Sequence, residues 1–362
     1  MKFKAGLLVG YNGEGYSGLQ LNKDLNTIEK AIGECLSKVK AISESNSQDY
    51  SKIHICSSSR TDKGVHAVLN LIVCKIQKEI DNELYKDLFI HLQEKGIHLY
   101  KIIRLTKGFV PSKQTAYRTY EYVIPTYFLQ KGDITQEHSQ NLIKYENVKE
   151  ETESDLTSCS SITKEKLRER QYSEKDVECI FGYRSQGEDV KVFKEIFSEF
   201  KGTRTYHNYT VVSNPKGKQR FIQDIKISEP YVVDDVEYVK ITIEGQSFLL
   251  HQIRKMTYFA LLLTRYKRED WKLIFAESFT GKLHIPKGPS QYLILDRPHF
   301  MEVKSKGKMV DNLEVDECER LKFKEKITKL IYRKENLYRF LACLDSTRWY
   351  NEEMPYLAGK SD

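Results

Sequence analysis

The chain has 362 residues, 40% of them hydrophobic and 30% charged, which is room for one large domain or two ordinary ones around a sizeable core. Its longest apolar run, Tyr258 to Leu263, is far too short to cross a bilayer, which excludes a membrane-spanning helix. The net charge of +7, from 58 Lys and Arg against 51 Asp and Glu, suits a polyanionic partner wherever the cations cluster.

Residues 1 to 128 alternate strands and helices. They open almost at once on strand-like Phe3-Lys4-Ala5-Gly6-Leu7-Leu8-Val9, so no signal or transit segment is expected ahead. Asn26-Thr27-Ile28-Glu29 opens a helix, with Asn26 the expected N-cap and Glu29 its capping-box partner. Ile28, Ala31, Ile32, Cys35, Leu36 and Val39 then recur at helical spacing. Strand signals at Ile53, Ile55 and at Leu69, Leu71, Val73 flank Arg60-Thr61-Asp62-Lys63-Gly64-Val65-His66-Ala67. This turn sets one carboxylate, Asp62, between two cations, and Gly64 can take backbone angles closed to other residues. Asp62 is therefore expected to face a ligand, although Asp and Gly also build ordinary turns. A second helix starts near Asp81 and carries Leu84, Leu88 and Leu92; strands follow at Leu99 to Leu105 and Tyr117 to Ile124.

Residues 129 to 178 differ in kind. From about Lys131 to Lys175 they are rich in Glu, Ser, Lys, Gln and Asn without a sustained period, and read as a polar insert, partly disordered or loosely helical. The α/β texture returns over 179 to 303. Val190, Phe193, Phe197 and Phe200 mark a helix, and strands follow at Arg220 to Ile227 and Val236 to Ile243. Ser247 is the expected N-cap of a helix from Phe248 to Thr264, and Tyr292 to Leu295 reads as a closing strand. The tail, 304 to 362, is strongly charged, with a helical stretch from Cys318 to Leu344.

Seven cysteines occur without a C-x-x-C pair. Cys35, Cys74 and Cys179 read as small buried hydrophobes, and the odd count argues for a reducing compartment. Nine histidines lack ligand spacing, and there is no Walker A loop, G-x-G-x-x-G or nucleophile elbow. Neither a metal nor a cofactor is expected. The 23 tyrosines include faces that could stack on unpaired bases, although most would pack in a core.

Three features draw together. Asp62 lies in the glycine turn. Arg118, Tyr120 and Tyr122 share one face of a strand by period two. After Ser247, His251, Arg254 and Tyr258 share one helical stripe opposite apolar Leu249, Ile253, Met256, Ala260 and Leu263. Singly, a strand tyrosine is usually packing and a helix arginine usually faces solvent.

Together these stretches resemble the TruA family of pseudouridine synthases, and within it the eukaryotic branch. Tyr11-Asn12-Gly13-Glu14-Gly15-Tyr16-Ser17-Gly18-Leu19-Gln20 is similar to the family's opening motif, and Arg60 to Val65 to its active-site signature. Ala116 to Tyr122, ending at Pro125-Thr126-Tyr127, resembles the second motif. Phe200-Lys201-Gly202-Thr203 with His207-Asn208-Tyr209-Thr210 resembles a later one, and Gly245-Gln246-Ser247-Phe248 through His251-Gln252-Ile253-Arg254-Lys255-Met256 is the closest match. The departures are Ser59, Val110-Pro111-Ser112-Lys113, and Ser290-Gln291 ahead of Tyr292-Leu293.

The resemblance implies a catalytic set of Asp62, Tyr120 and Arg254: the carboxylate that reacts, the ring that stacks on the target base, and the arginine that pairs with the carboxylate. Arg60 would hold the target nucleotide out of its helix. Thr61, Lys63, His66, Arg118, His251 and Leu293 complete the implied substrate-binding set. The implied fold is α+β: two similar α/β halves whose antiparallel sheets merge into one large sheet, with helices on one face and the active cleft between the halves. The implied partner is tRNA, with mRNA or snRNA as further substrates, no membrane, a monomeric state and nuclear residence. A tRNA-binding protein or RNA chaperone of the same fold without catalysis is the alternative. A small-molecule enzyme would need a nucleotide or metal signature that the sequence lacks.

Overall fold

A computed structural model describes residues 2–134, 136–137, 173–211, 216–301, 304–305, 308–309, 313–349, 354 and 356–357. Most of the polar insert lies outside these residues. Strands β1 (Phe3–Tyr11), β2 (Cys56–Ser57), β3 (His66–Ile76), β4 (Ile97–Leu105), β5 (Thr115–Pro125), β6 (Gly202–Thr205), β7 (Gln219–Ile227), β8 (Tyr231–Val233), β9 (Val236–Gly245) and β10 (Leu293–Phe300) follow the chain. They bond in the order β4-β1-β3-β10-β5-β9-β7-β6, with β2 beside β3 and β8 beside β9. β1 runs antiparallel to β3 and β4, while β10 runs antiparallel to β5 and parallel to β3. One large, mostly antiparallel sheet with helices is the architecture the family resemblance implies.

The chain divides into two compact units. The first comprises Met1–Tyr122, Thr242–Ser247 and Ser290–Ile331. Its central strands are apolar almost throughout because both faces are covered. One core cluster joins Leu8, Leu69, Leu71, Val73, Tyr100, Ile103, Leu105 and Phe109, with Phe323 of the helix Glu317–Ile331 packed against it. The alternation of Leu69, Leu71 and Val73 in that cluster is the period of a strand turning one face inward. The first helix, Ile28–Lys38, is capped by Thr27, whose side chain accepts from Lys30 N, and not by Asn26. The Asn26 amide donates instead to Gly15 O, and the buried Glu29 accepts from Leu21 N at 2.7 Å. Both residues serve the opening motif. The helix Asn82–Glu94 begins as its leucines require, with Asp81 accepting from Leu84 N.

The second unit comprises Val123–Ile241, Phe248–Pro289 and Tyr332–Asp362. Phe200, Tyr206, Tyr209, Phe275 and Phe279 form an aromatic cluster beside the helix Glu188–Ser198. The expected helix from Phe248 starts later, at Gln252, and runs to Tyr266. His251 sits at φ 66°, ψ 1°, a left-handed conformation that α-helix continuation forbids, so Ser247 cannot cap it. The polar side of this helix is buried like its apolar side, and Tyr258 bonds Thr347 at 2.8 Å instead of facing solvent. The helical stretch of the tail is two helices, Glu317–Ile331 and Lys334–Trp349. Cys35 and Cys74 are buried, and burial pushes their thiols up to about 11 and about 12. Cys179 is exposed, contrary to its apolar neighbours in sequence, and lies against the Tyr127 hydroxyl.

Candidate active site

In the first unit the segment from Ser58 to Val65 joins β2 to β3 and is anchored at Ser58, Ser59, Thr61, Asp62 and Val65. Ser58 N donates to Leu71 O at 2.9 Å, and Ser58 Oγ to Asn70 Oδ1 at 2.7 Å. Asn70 Nδ2 donates to Ser59 O at 2.8 Å, and Thr61 Oγ1 shares a 2.8 Å bond with Tyr11 Oη. Leu19 N donates to Thr61 O, and Val65 N closes the turn onto Asp62 O, each at 3.1 Å. Gly64 takes φ +76°, and a Cβ there would stand 2.9 Å from Ser290 Oγ. Glycine is needed for both its angle and its size.

The opening motif wraps this turn. Gly13 N donates to His66 Nδ1 at 3.2 Å, so the buried His66 holds the motif through a ring nitrogen acting as acceptor. A Cβ on Gly13 would come within 2.1 Å of Val65 O, so the two backbones meet directly. Gly18, at φ +114°, lies against Thr61 and Asp62.

Asp62 is half-buried, while Arg60 and Lys63 are exposed on either side of it. Tyr120 on β5 is buried within electrostatic reach of Asp62. Burial pushes the Tyr120 phenol up to about 12; the Asp62 charge adds to this, while Arg118 and the Ser59 side chain oppose it. The phenol is therefore neutral at ordinary pH. Tyr120 pairs across the sheet with Leu295, and Leu293 pairs with Tyr122, so Leu293 is buried two residues along the same ladder. Arg118 is buried, and its guanidinium donates to Ser58 O at 2.9 Å and to Gln246 O. Desolvation lowers its pKa. Thr61, Asp62, Gly64, His66, Arg118 and Tyr120 thus belong to one constellation in this unit.

In the second unit Arg254 stands in the first turn of the helix Gln252–Tyr266, buried. Its Nε donates to Gly288 O at 2.8 Å, and Gly288 N returns a bond to Arg254 O at 3.2 Å. His251, half-buried, supplies the left-handed residue just ahead of that helix. Lys255 Nζ donates to Asn208 O and Thr210 O at 3.1 and 3.0 Å. Burial first, and the charge of Lys287 second, pull its pKa down to about 8. Asn208 in turn binds Ser278 O and Gly281 O through its amide nitrogen. Asn70, Tyr11 and Lys255 were absent from the sequence-derived set. The signal for Asn70 is a single amide in the middle of an otherwise apolar strand.

Among the described residues there is no cluster of His, Cys, Asp and Glu able to hold a metal ion, and no helix long and apolar enough to cross a membrane. No protein-family model matches the chain. With the sheet, the anchored aspartate turn and the helix carrying Arg254 in place, the chain belongs to the TruA-type family of tRNA pseudouridine synthases. Several relatives at about 31–33% identity are named tRNA pseudouridine synthase 1. It is 33% identical over 340 residues to tRNA pseudouridine synthase 1 of Saccharomyces cerevisiae, covering 83% of this chain and 61% of that protein. It is 31% identical over 346 residues to that of Yarrowia lipolytica, covering 83% and 64%. It is 31% identical over 415 residues to that of Candida albicans, covering 97% and 67%. The chain therefore spans about three fifths to two thirds of the length of these relatives.

Proposed function

We propose that this chain isomerises uridine to pseudouridine in tRNA, with Asp62 as the reacting carboxylate. The observation that carries this is the pairing, in one unit, of a half-buried Asp62 on a hydrogen-bonded turn with a buried Tyr120 ring. The reaction breaks a C–N glycosidic bond, turns the uracil and forms a C–C bond, without net oxidation. A carboxylate can attack the sugar or base, or remove a sugar proton. Extruding the base costs a few kcal/mol. The exposed Arg60 can fill the vacated stack, and Tyr120 can offer its face to the uracil while the ring turns. With its phenol at about 12, Tyr120 acts through that face and its O–H rather than as a phenolate base. Arg118 spends its guanidinium on loop carbonyls, so it steadies the turn. The resemblance to the family assigns Arg254 to the reacting carboxylate, and a guanidinium beside a carboxylate favours its ionised form.

The direct test is to incubate tRNA with wild type and Asp62→Ala and to quantify pseudouridine by mass spectrometry. Wild type should form it and Asp62→Ala should not, while both bind tRNA. A wild type that binds and forms none would leave a tRNA-binding protein without catalysis. The reading extends to mRNA or snRNA as substrates, nuclear residence and a monomeric state. Pseudouridine mapping across total RNA, imaging and sedimentation test these in turn.

A further inference from the structure

We infer that Asn70 and Tyr11 form a buried relay that fixes the Asp62 turn from within the sheet, which makes them positioning residues for the isomerisation. This deepens the reading of Asp62 as the reacting carboxylate and rests on it.

Asn70 is fully buried in β3, the strand that reads HAVLNLIVCKI. An amide there is costly unless its bonds are made, and it makes all of them. Oδ1 accepts from Ser58 Oγ at 2.7 Å and from Leu71 N at 2.9 Å. Nδ2 donates to Ser59 O at 2.8 Å and to Tyr11 Oη at 3.2 Å. Tyr11 is itself fully buried. Its oxygen accepts from Asn70, and it shares its other bond, at 2.8 Å, with Thr61 Oγ1. Burial drives that phenol far above its ordinary pKa, so it stays a hydroxyl. One asparagine thus controls Ser58 and Ser59 directly and Thr61 through Tyr11, and Asp62 is the next residue.

The backbone is built for this relay. Val9 pairs with Asn70 but Tyr11 pairs with Ala67, so β3 carries one extra residue opposite Gly10. Such a bulge re-aims side chains. The bulge carbonyl, Val68 O, accepts from Tyr100 Oη at 2.8 Å. A Cβ on Gly10 would sit 2.6 Å from that same oxygen, so only glycine fits.

The test uses Tyr11→Phe and Thr61→Val, which keep shape and remove one hydroxyl each, and the double variant. Single-turnover rates at saturating enzyme read chemistry. KM for tRNA, Tm and hydrogen exchange over residues 58–65 read binding, stability and turn order. Each single variant should lose roughly ten-fold in rate, below the hundred-fold that about 1 Å of misplacement brings. KM should hold and exchange in the turn should quicken, while Tm falls by only a few degrees, because each single leaves one buried hydrogen-bond partner unmatched. The double variant should fall no further than the worse single, because both remove one shared bond. Singles within two-fold of wild type, a loss confined to KM, or unchanged exchange would overturn the relay. An inactive wild type would remove the enzyme reading and the relay's role with it.

Discussion

Lys324, on the helix Glu317–Ile331, donates to Glu121 Oε1 of β5 at 2.8 Å and to Asp296 Oδ1 of β10 at 2.7 Å. Arg320, one turn earlier, reaches the same Asp296 oxygen at 3.0 Å. Both carboxylates are buried, 7% and 6% exposed. Burial alone would push the Asp296 carboxyl up, but Lys324, Arg320 and Arg297 outweigh it and hold it below the usual range. Burial likewise pulls Lys324 down, and the two carboxylates raise it above its ordinary value. The sign of each contribution follows. The Asp296 share is present above about pH 4 and lost as pH falls through its lowered pKa; the Lys324 share is present below about pH 10 and lost as pH rises through its raised pKa. Lys324→Met takes a cation from both carboxylates while Arg320 keeps compensating Asp296. Breaking a buried pair typically costs about 3–5 kcal/mol, so with that compensation we expect a loss of about 2–3 kcal/mol at pH 7. For a unit of this size that is a fall in Tm of roughly 4–12 °C. Adding Glu121→Gln should recover part of the loss, because the stranded charge goes with it. Calorimetry of the two singles and the double checks this. A Lys324→Met protein within about 0.5 kcal/mol of wild type, or strict additivity in the double, would refute the reasoning.

Gly64→Ala should destabilise by about 1–2 kcal/mol, from its left-handed backbone alone, and slow turnover, because the new Cβ meets Ser290 Oγ at 2.9 Å; urea melts and rate measurements read both. For Lys255, a depressed folded pKa of about 8 means the unfolded chain holds more protons above that pH. Wild type should therefore gain stability over Lys255→Met as pH rises from 8 towards 10, and paired urea titrations at pH 7 and 10 would detect the change. Arg254→Met should bind tRNA and keep its fold but abolish pseudouridine formation; near-normal rates would remove the ion-pair role.

The strongest sequence signals were local and repeated. Leu84, Leu88 and Leu92 behind Asp81 define the helix Asn82–Glu94, because cap and stripe sit within one segment. The Asp62 turn is half legible: the apolar strand His66–Ile76 follows it as expected, but Ile53, read as strand, ends the 3-10 turn Tyr50–Ile53, His54 is left-handed, and the strand before the turn is only Cys56–Ser57. What was hidden depends on partners far along the chain. The left-handed His251 moves the start of a helix past an ordinary Ser247 signal. Tyr258, on the side that looks polar, is claimed by Thr347. Lys324 reads as one more solvated charge in a charged tail, and its two carboxylates lie on strands β5 and β10. Asn70 reads as a flaw in a good strand until the residues it bonds are seen.

The place of β10 has a consequence for synthesis on the ribosome. It inserts between β3 and β5, yet β5 ends at Pro125 and β10 begins at Leu293. At about 5–20 residues per second the nascent chain waits roughly ten to thirty seconds for that strand. Until then the facing edges of β3 and β5 present unsatisfied backbone groups to whatever else is being made nearby. A polypeptide released during that interval should depend on chaperones far more than the finished molecule does.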